Sequence, residues 1–420
     1  MPIEKTNKYY PSLRFPAFQS SEQWKTKRLG DIAELYAGAT PSTSVSEYWT
    51  EGTIPWMSSG EVHNGQIFVT EKKITLLGYD RSSTKMVPAN SVIVALAGQG
   101  KTRGSVAITR ISLCTNQSLC SILPNETYDS DYLYFFLKNQ YETLRFISSG
   151  DGTRGGLNLQ MLRDFLIPVP SLEEQQKIAE CLSSIESYIS SINEKVEQLK
   201  AHKKSLLQKL FPQRGQTVPE YRFSEFQKDS AWEKMKLGDV TTVINRRNKS
   251  NRSLPIYSIS NKDGFVLQSE QFDGLDSESR GYDISLYKIV GRNTFAYNPA
   301  RINIGSIGYS GNLKEVLISS LYVCFKTTDK LDDEFLQCFL KTAEFNQAVE
   351  NNVEGGIRSY LFYENFSRIN ISIPSLQEQK KIASTILSID DVISKYTDKV
   401  SLLEDYKKGL MQQLFPAITK

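Results

Sequence analysis

The chain has 420 residues, 40% hydrophobic and 23% charged, enough for two or three domains that each bury a core. Its net charge of only +3 excludes a protein with an overall basic field, so any nucleic-acid surface is local or shared with a partner. No run approaches the roughly 18 apolar residues of a membrane span, and the N-terminal stretch lacks the apolar core of a signal peptide.

Cys114, Cys120, Cys181, Cys324 and Cys338 form no CxxC pair, and His63 and His202 are the only histidines. The spacing supports no metal site and no cofactor, and it fits a reducing cytoplasm.

In chain order, a leader at 1–24 precedes a segment at 25–170. That segment holds short strand-like runs, SVIVALAG at 91–98 and SVAITRI at 105–111, and a helix-like stretch at 131–147. A glycine-rich loop at 150–157 and a final strand then lead into a long helix at 171–212. Residues 213–232 link to a repeated leader, in which Arg14, Phe15, Phe18, Trp24 and Asp31 recur as Arg222, Phe223, Phe226, Trp232 and Asp239. A second segment at 233–374, with a helix-like stretch at 333–349, ends in a second long helix at 375–416. Strand-like runs followed by a late helix predict a mixed α+β fold in each segment. The recurring aromatic residues are expected as core and docking anchors.

The long helices organise the chain. Residues 167–212 and 371–416 align without a gap, and half of the aligned positions are identical. With Lys203 in the row, Ile178, Leu182, Ile185, Ile189, Ile192, Val196, Leu199, Leu206 and Leu210 recur at alternating steps of four and three, the rhythm of a coiled-coil seam. The copy reads Ile382, Ile386, Ile389, Ile393, Tyr396, Val400, Leu403, Leu410 and Leu414. Ser171 and Glu174 spell a capping box, and Phe211-Pro212 stops the helix. Such a rod is about 60 Å long. Both seams carry a lysine, Lys203 and Lys407, which would face each other in a parallel pair. An antiparallel pair instead sets Lys203 between Ala383 and Ile389, and Lys407 between Ala179 and Ile185. It also brings the acidic first turns (Glu173, Glu174, Glu378) to the basic last turns (Lys204, Lys209, Lys408). Two unrelated oligomerisation arms are the alternative, which the wider duplication argues against.

No stretch carries catalytic chemistry. Ala95 to Thr102 resembles a relaxed phosphate loop, but a strand follows Lys101 where a helix is required, so a basic hairpin turn is expected. Asn298-Pro299 lacks the aromatic residue and the glycine loop that a methyl-transfer site needs. Two histidines in unrelated contexts do not support a nucleophilic triad. Basic and amide side chains do gather in loops: Gln99, Lys101, Thr102, Arg103 and Arg154 in the first half. The second half offers Arg246, Arg247, Asn248, Lys249, Arg252, Arg301, Asn303 and Arg358. These side chains suit base edges and phosphates.

The two RFPAF/RFSEF-type leaders, the two dissimilar segments, and the helices opened by IPVPSLEEQQKIA and ISIPSLQEQKKIA resemble the specificity subunit of a type I restriction–modification system. The likeness implies two α+β target recognition domains joined by two long antiparallel coiled-coil helices in an internal pseudo-twofold repeat. It implies a non-catalytic subunit whose domains each read one half of a bipartite, asymmetric site in double-stranded DNA. The helices would set the spacing and dock two methyltransferase subunits, with restriction subunits joining outside. A recognition subunit of a methylation-only or fused system, and a scaffold that binds no DNA, are the alternatives.

Overall fold

The computed structural model describes residues 11–98, 100–148, 156–213, 215–353 and 360–416. Contacts divide the chain into two units, one running to Asn193 and resuming at Asp398, the other Glu194–Thr397. Each unit therefore owns the start of one long helix and the end of the other.

In the first unit, strand Lys25–Arg28 pairs antiparallel with Leu166–Val169. This two-stranded ribbon tolerates Pro168, because an edge strand has no second ladder to lose. A five-stranded sheet is built around the hairpin Val92–Ala95 and Val106–Thr109, and a four-stranded sheet around Ile54–Met57 and Leu113–Thr115. The apolar runs are continuous because both faces are covered. Val92 and Val94 enter a core with Tyr132 and Phe136 of helix Ser130–Asn139. Ile93 and Ala95 enter a second core with Met57, Val87 and Leu113, as the two-residue period of a strand requires.

The second unit repeats the plan. Strand Glu233–Lys236 pairs with Asn370–Ile373, and two four-stranded sheets follow. Phe295, Tyr297 and Phe325 face a core with Phe335 and Phe339, while Ala296 and Cys324 face Ile259 and Val316. The α+β class is as the sequence predicts.

The long helices span Leu172–Leu210 and Leu376–Leu414, 39 residues each, and both stop one residue before a Phe-Pro pair. They pack together in antiparallel fashion: Glu186 meets Lys407, Lys195 meets Tyr396, and Lys203 meets Asp390. Each seam lysine thus falls one residue beyond its expected window and finds a carboxylate there. Leu182 and Ile386 are fully buried.

Two local expectations are corrected. Ser171 and Ser375 cap the helices, each accepting from a backbone amide at 3.4 Å. The side chains of Glu174 and Glu378 do not close the boxes, nor do they meet the basic last turns. Arginines of the leaders take them instead.

Candidate nucleic-acid interface

Each α+β domain is tied to its long helix by a set of bonds that recurs in both halves. Arg14 donates Nε to Glu174 Oε1 and Nη2 to Oε2, both at 2.7 Å, and Trp24 Nε1 donates to the same carboxylate at 3.1 Å. Arg222, Glu378 and Trp232 repeat this at 2.8, 2.7 and 3.3 Å. The neighbouring amide completes the anchor. Gln175 accepts from the Asp129 backbone N–H at 2.9 Å, and Gln379 from Asp332 at 2.8 Å. Asp129 and Asp332 are the N-caps of helices Ser130–Asn139 and Asp333–Phe339 of the two domains, so one Glu-Gln pair holds both the leader and the domain. The sequence marks Trp24 and Trp232 as docking anchors but does not reveal that their partners are Glu174 and Glu378, or that Gln175 and Gln379 complete the set. Their recurrence at aligned positions was the available signal.

The loops carried on this scaffold differ between the halves. In the first, strands Val92–Ala95 and Val106–Thr109 pair as a hairpin, as expected, and no helix follows Lys101. Gly98 holds φ +144, and a Cβ there would lie 2.7 Å from Thr102, so the tip requires glycine. Arg145 donates to the Gly100 carbonyl at 2.6 Å and Tyr141 to the Lys101 carbonyl at 2.9 Å. These bonds brace the tip and leave the Lys101 side chain exposed, with Thr102 and Arg103 half-buried beside it. Gln99, Arg154 and Arg358 lie outside the described residues.

In the second half, Arg247, Lys249 and Arg252 are exposed, and Arg246 and Arg252 both pair with Glu315, the latter at 2.6 Å. Asn248 is a correction. It is fully buried, donating Nδ2 to the Arg252 and Ile284 carbonyls at 3.0 and 3.3 Å and accepting from the Arg252 amide at 2.9 Å. It shapes the loop and presents nothing to a ligand. Arg301 and Asn303 are exposed on the turn at Ile302–Ile304. That turn lies beside Ile259 and Asn261, whereas Arg252 precedes strand Ile256–Ser260 at its other end. These basic groups therefore lie near opposite ends of that strand, about a strand's length apart, roughly 15 Å.

None of this is acid–base machinery. Burial pushes the thiols of Cys114 and Cys324 up to about 11, and those of Cys120 and Cys338 to about 12, so these four are inert core residues. Among the described residues, no cluster of His, Cys, Asp and Glu could hold a metal, and no helix is long and apolar enough to cross a membrane.

Fold and loops together define a modular recognition protein, two differently furnished domains on one duplicated scaffold. A family model, the type I restriction modification DNA specificity domain, matches residues 21–201 and 229–402. The chain is 27% identical over 415 residues to the type I restriction enzyme MjaIX specificity subunit of Methanocaldococcus jannaschii, covering 94% of this chain and 93% of that one. It is 30% identical over 194 residues to the EcoR124I/EcoR124II specificity subunit of Escherichia coli, 46% of this chain and 47% of the relative. The crystal structure of the S subunit from M. genitalium matches with a TM-score of 0.62 at 16% identity, over 97% of this chain and all of that one. The chain belongs to the type I restriction-modification DNA specificity family. It is a non-catalytic specificity subunit with two target recognition domains.

Proposed function

We propose that each recognition domain reads one half of a bipartite, asymmetric site in double-stranded DNA, in the cytoplasm, and that the paired helices set the distance between the halves. The helices also dock two methyltransferase subunits, and restriction subunits join outside them. Segments 25–170 and 233–374 are the two reading domains, joined by the helices at 171–212 and 375–416. The observation that carries this reading is the identical Arg-Glu-Gln anchor beneath dissimilar loops. A scaffold copied with its bonds intact, under loops free to differ, suits recognition of two different sequences. Lys101, Thr102 and Arg103 on one domain, and Arg246, Arg247, Lys249, Arg252, Arg301 and Asn303 on the other, are the proposed contacts to bases and phosphates. Half-sites read from one face of the duplex lie about 34 Å apart, within reach of a rod of about 60 Å.

The test is to exchange residues 233–370 for those of a relative and map methylated adenines in the host genome. One half of the methylated site should change and the other stay. A change in both halves, or in neither, contradicts the modular reading.

A further inference from the structure

The seam lysines reach beyond the coiled coil. In the first unit, the Glu186 carboxylate that meets Lys407 also accepts from Lys138 Nζ at 3.0 Å and from the Tyr134 hydroxyl at 3.4 Å. Both donors lie on the recognition-domain helix Ser130–Asn139. The other oxygen of Glu186 accepts from Gln66 Nε2 at 3.1 Å, and Gln66 Oε1 accepts from Arg110 Nε at 2.9 Å. Arg110 in turn pairs with Asp131 at the start of that same helix. One continuous set of polar contacts thus joins both long helices to the helix and sheet of the domain.

The second unit holds a shorter version. Asp390 meets seam Lys203 and also lies 3.7 Å from Lys341, just past helix Asp333–Phe339. Asp390 aligns with Glu186, and Lys203 with Lys407. The surrounding domains have diverged, yet seam lysine, helix carboxylate and domain lysine recur together. Apolar packing alone tolerates small rotations of a domain on a helix, whereas a carboxylate bonded by several directed donors has one orientation. These pairs are only partly buried, so what they add beyond apolar packing is direction.

We infer that this three-charge node is a positioning element: it fixes how each recognition domain is seated on its stretch of the helix pair, and so which spacer length the assembled complex accepts. Half-site sequence is left to the loops. The inference rests on the proposed reading that the helices set the spacing.

Lys138→Met removes the domain's charged arm and leaves Glu186 with Lys407 and the neutral donors Tyr134 and Gln66. Lys138 is partly exposed, so the variant is expected to fold. The complex of the full chain with its methyltransferase would be assayed on duplexes with cognate half-sites and spacers of native length, or one base pair longer or shorter. Methylation of off-length relative to native duplexes should rise about tenfold, the scale of one charge-assisted hydrogen bond. Discrimination against a mismatched half-site should be unchanged, and Lys138→Arg should behave as wild type. Lys341→Met should relax the spacer in the same way. Unchanged spacer discrimination, or loss of half-site discrimination along with it, overturns the inference. A control separates it from its premise: one heptad inserted after Asn193 and one after Thr397. If the preferred spacer does not move, the ruler itself fails and the node with it. If it moves while Lys138→Met changes nothing, the node alone fails.

Discussion

Arg14 closes a two-pronged pair on Glu174, with both nitrogen–oxygen distances at 2.7 Å. The partners lie far apart in sequence, and their side chains are almost wholly buried, at 9% and 1% exposure. The same pair, Arg222 with Glu378, ties the second leader to the second helix. The helix-opening glutamate therefore serves as the anchor of the leader, and the capping role is left to serine alone.

Removing one partner strands the other charge out of water. Glu174→Ala should cost about 3–5 kcal/mol, as for other broken buried pairs, and Glu378→Ala the same. Replacing both members, Arg14→Met with Glu174→Leu, should cost far less. Urea unfolding followed by tryptophan fluorescence measures this directly, because Trp24 and Trp232 touch the two carboxylates. Equal midpoints for the single and double variants would contradict the anchor.

The seam makes a graded expectation. Leu182 and Ile386 are fully buried, whereas Leu402 on the outer face is 70% exposed. Leu182→Ala and Ile386→Ala should each cost about 2–5 kcal/mol, and Leu402→Ala about 0.5 kcal/mol or less. Circular dichroism in urea gives the ranking, and a costly Leu402→Ala would misplace the interface.

Glu186 predicts an acid limb in the stability profile. Burial pushes its carboxyl up, but the ammonium groups of Lys138 and Lys407 outweigh burial and hold it at about 2, below its ordinary 4.5. A carboxyl depressed on folding stabilises the native state above its unfolded value, and that stability is lost as pH falls through the folded value. The contribution, on the order of 3 kcal/mol, should be complete above about pH 5 and fade between about 4.5 and 2. Lys407 shifts the opposite way from a normal paired lysine. Burial and Lys138 lower it, and Glu186 only partly restores it. Glu186→Gln should therefore flatten the acid limb between pH 5 and 2 while destabilising the protein at neutral pH. An unaltered limb in thermal melts would show that the carboxylate is not held by these lysines.

The duplication, the α+β class, the helix ends and the antiparallel seam could all be seen in the sequence, because each rests on a local period or a direct repeat. Even the lysine partners were missed by only one residue, Asp390 beyond Ile389 and Glu186 beyond Ile185. What escaped depends on long-range geometry. Nothing periodic links Arg14 to Glu174, and from the sequence alone the lysines at the far ends of the helices look like the natural partners of the acidic first turn. The parallel pairing of Ile54–Met57 with Leu113–Thr115 joins strands far apart in sequence and leaves no turn signal. Asn248 stands among arginines in the sequence, yet its amide is used within its own loop, a local competition that composition does not reveal.

The basic loop of the second domain allows the DNA contacts themselves to be tested. Glu315 lies between Arg246 and Arg252, and these guanidinium groups hold its carboxyl below the usual range. It thereby neutralises part of the surface that would meet phosphate. Glu315→Gln raises the local charge by one, so the assembled complex should bind cognate and unrelated duplexes more tightly at low salt. The slope of log affinity against log salt should steepen by about one. Arg247→Ala tests the opposite direction. If Arg247 grips phosphate, affinity falls for all sequences and the slope shrinks by about one. If it reads a base, about 1–3 kcal/mol is lost on the cognate duplex and specificity relaxes at one position of one half-site. Arg103→Ala should do the same for the other half-site. Asn248→Ala should lower stability, because three bonds hold the loop through that amide. Titrations at several salt concentrations, on cognate and half-site-mutant duplexes, separate these outcomes. Unchanged slopes for both Glu315→Gln and Arg247→Ala would remove the 246–252 loop from the DNA surface.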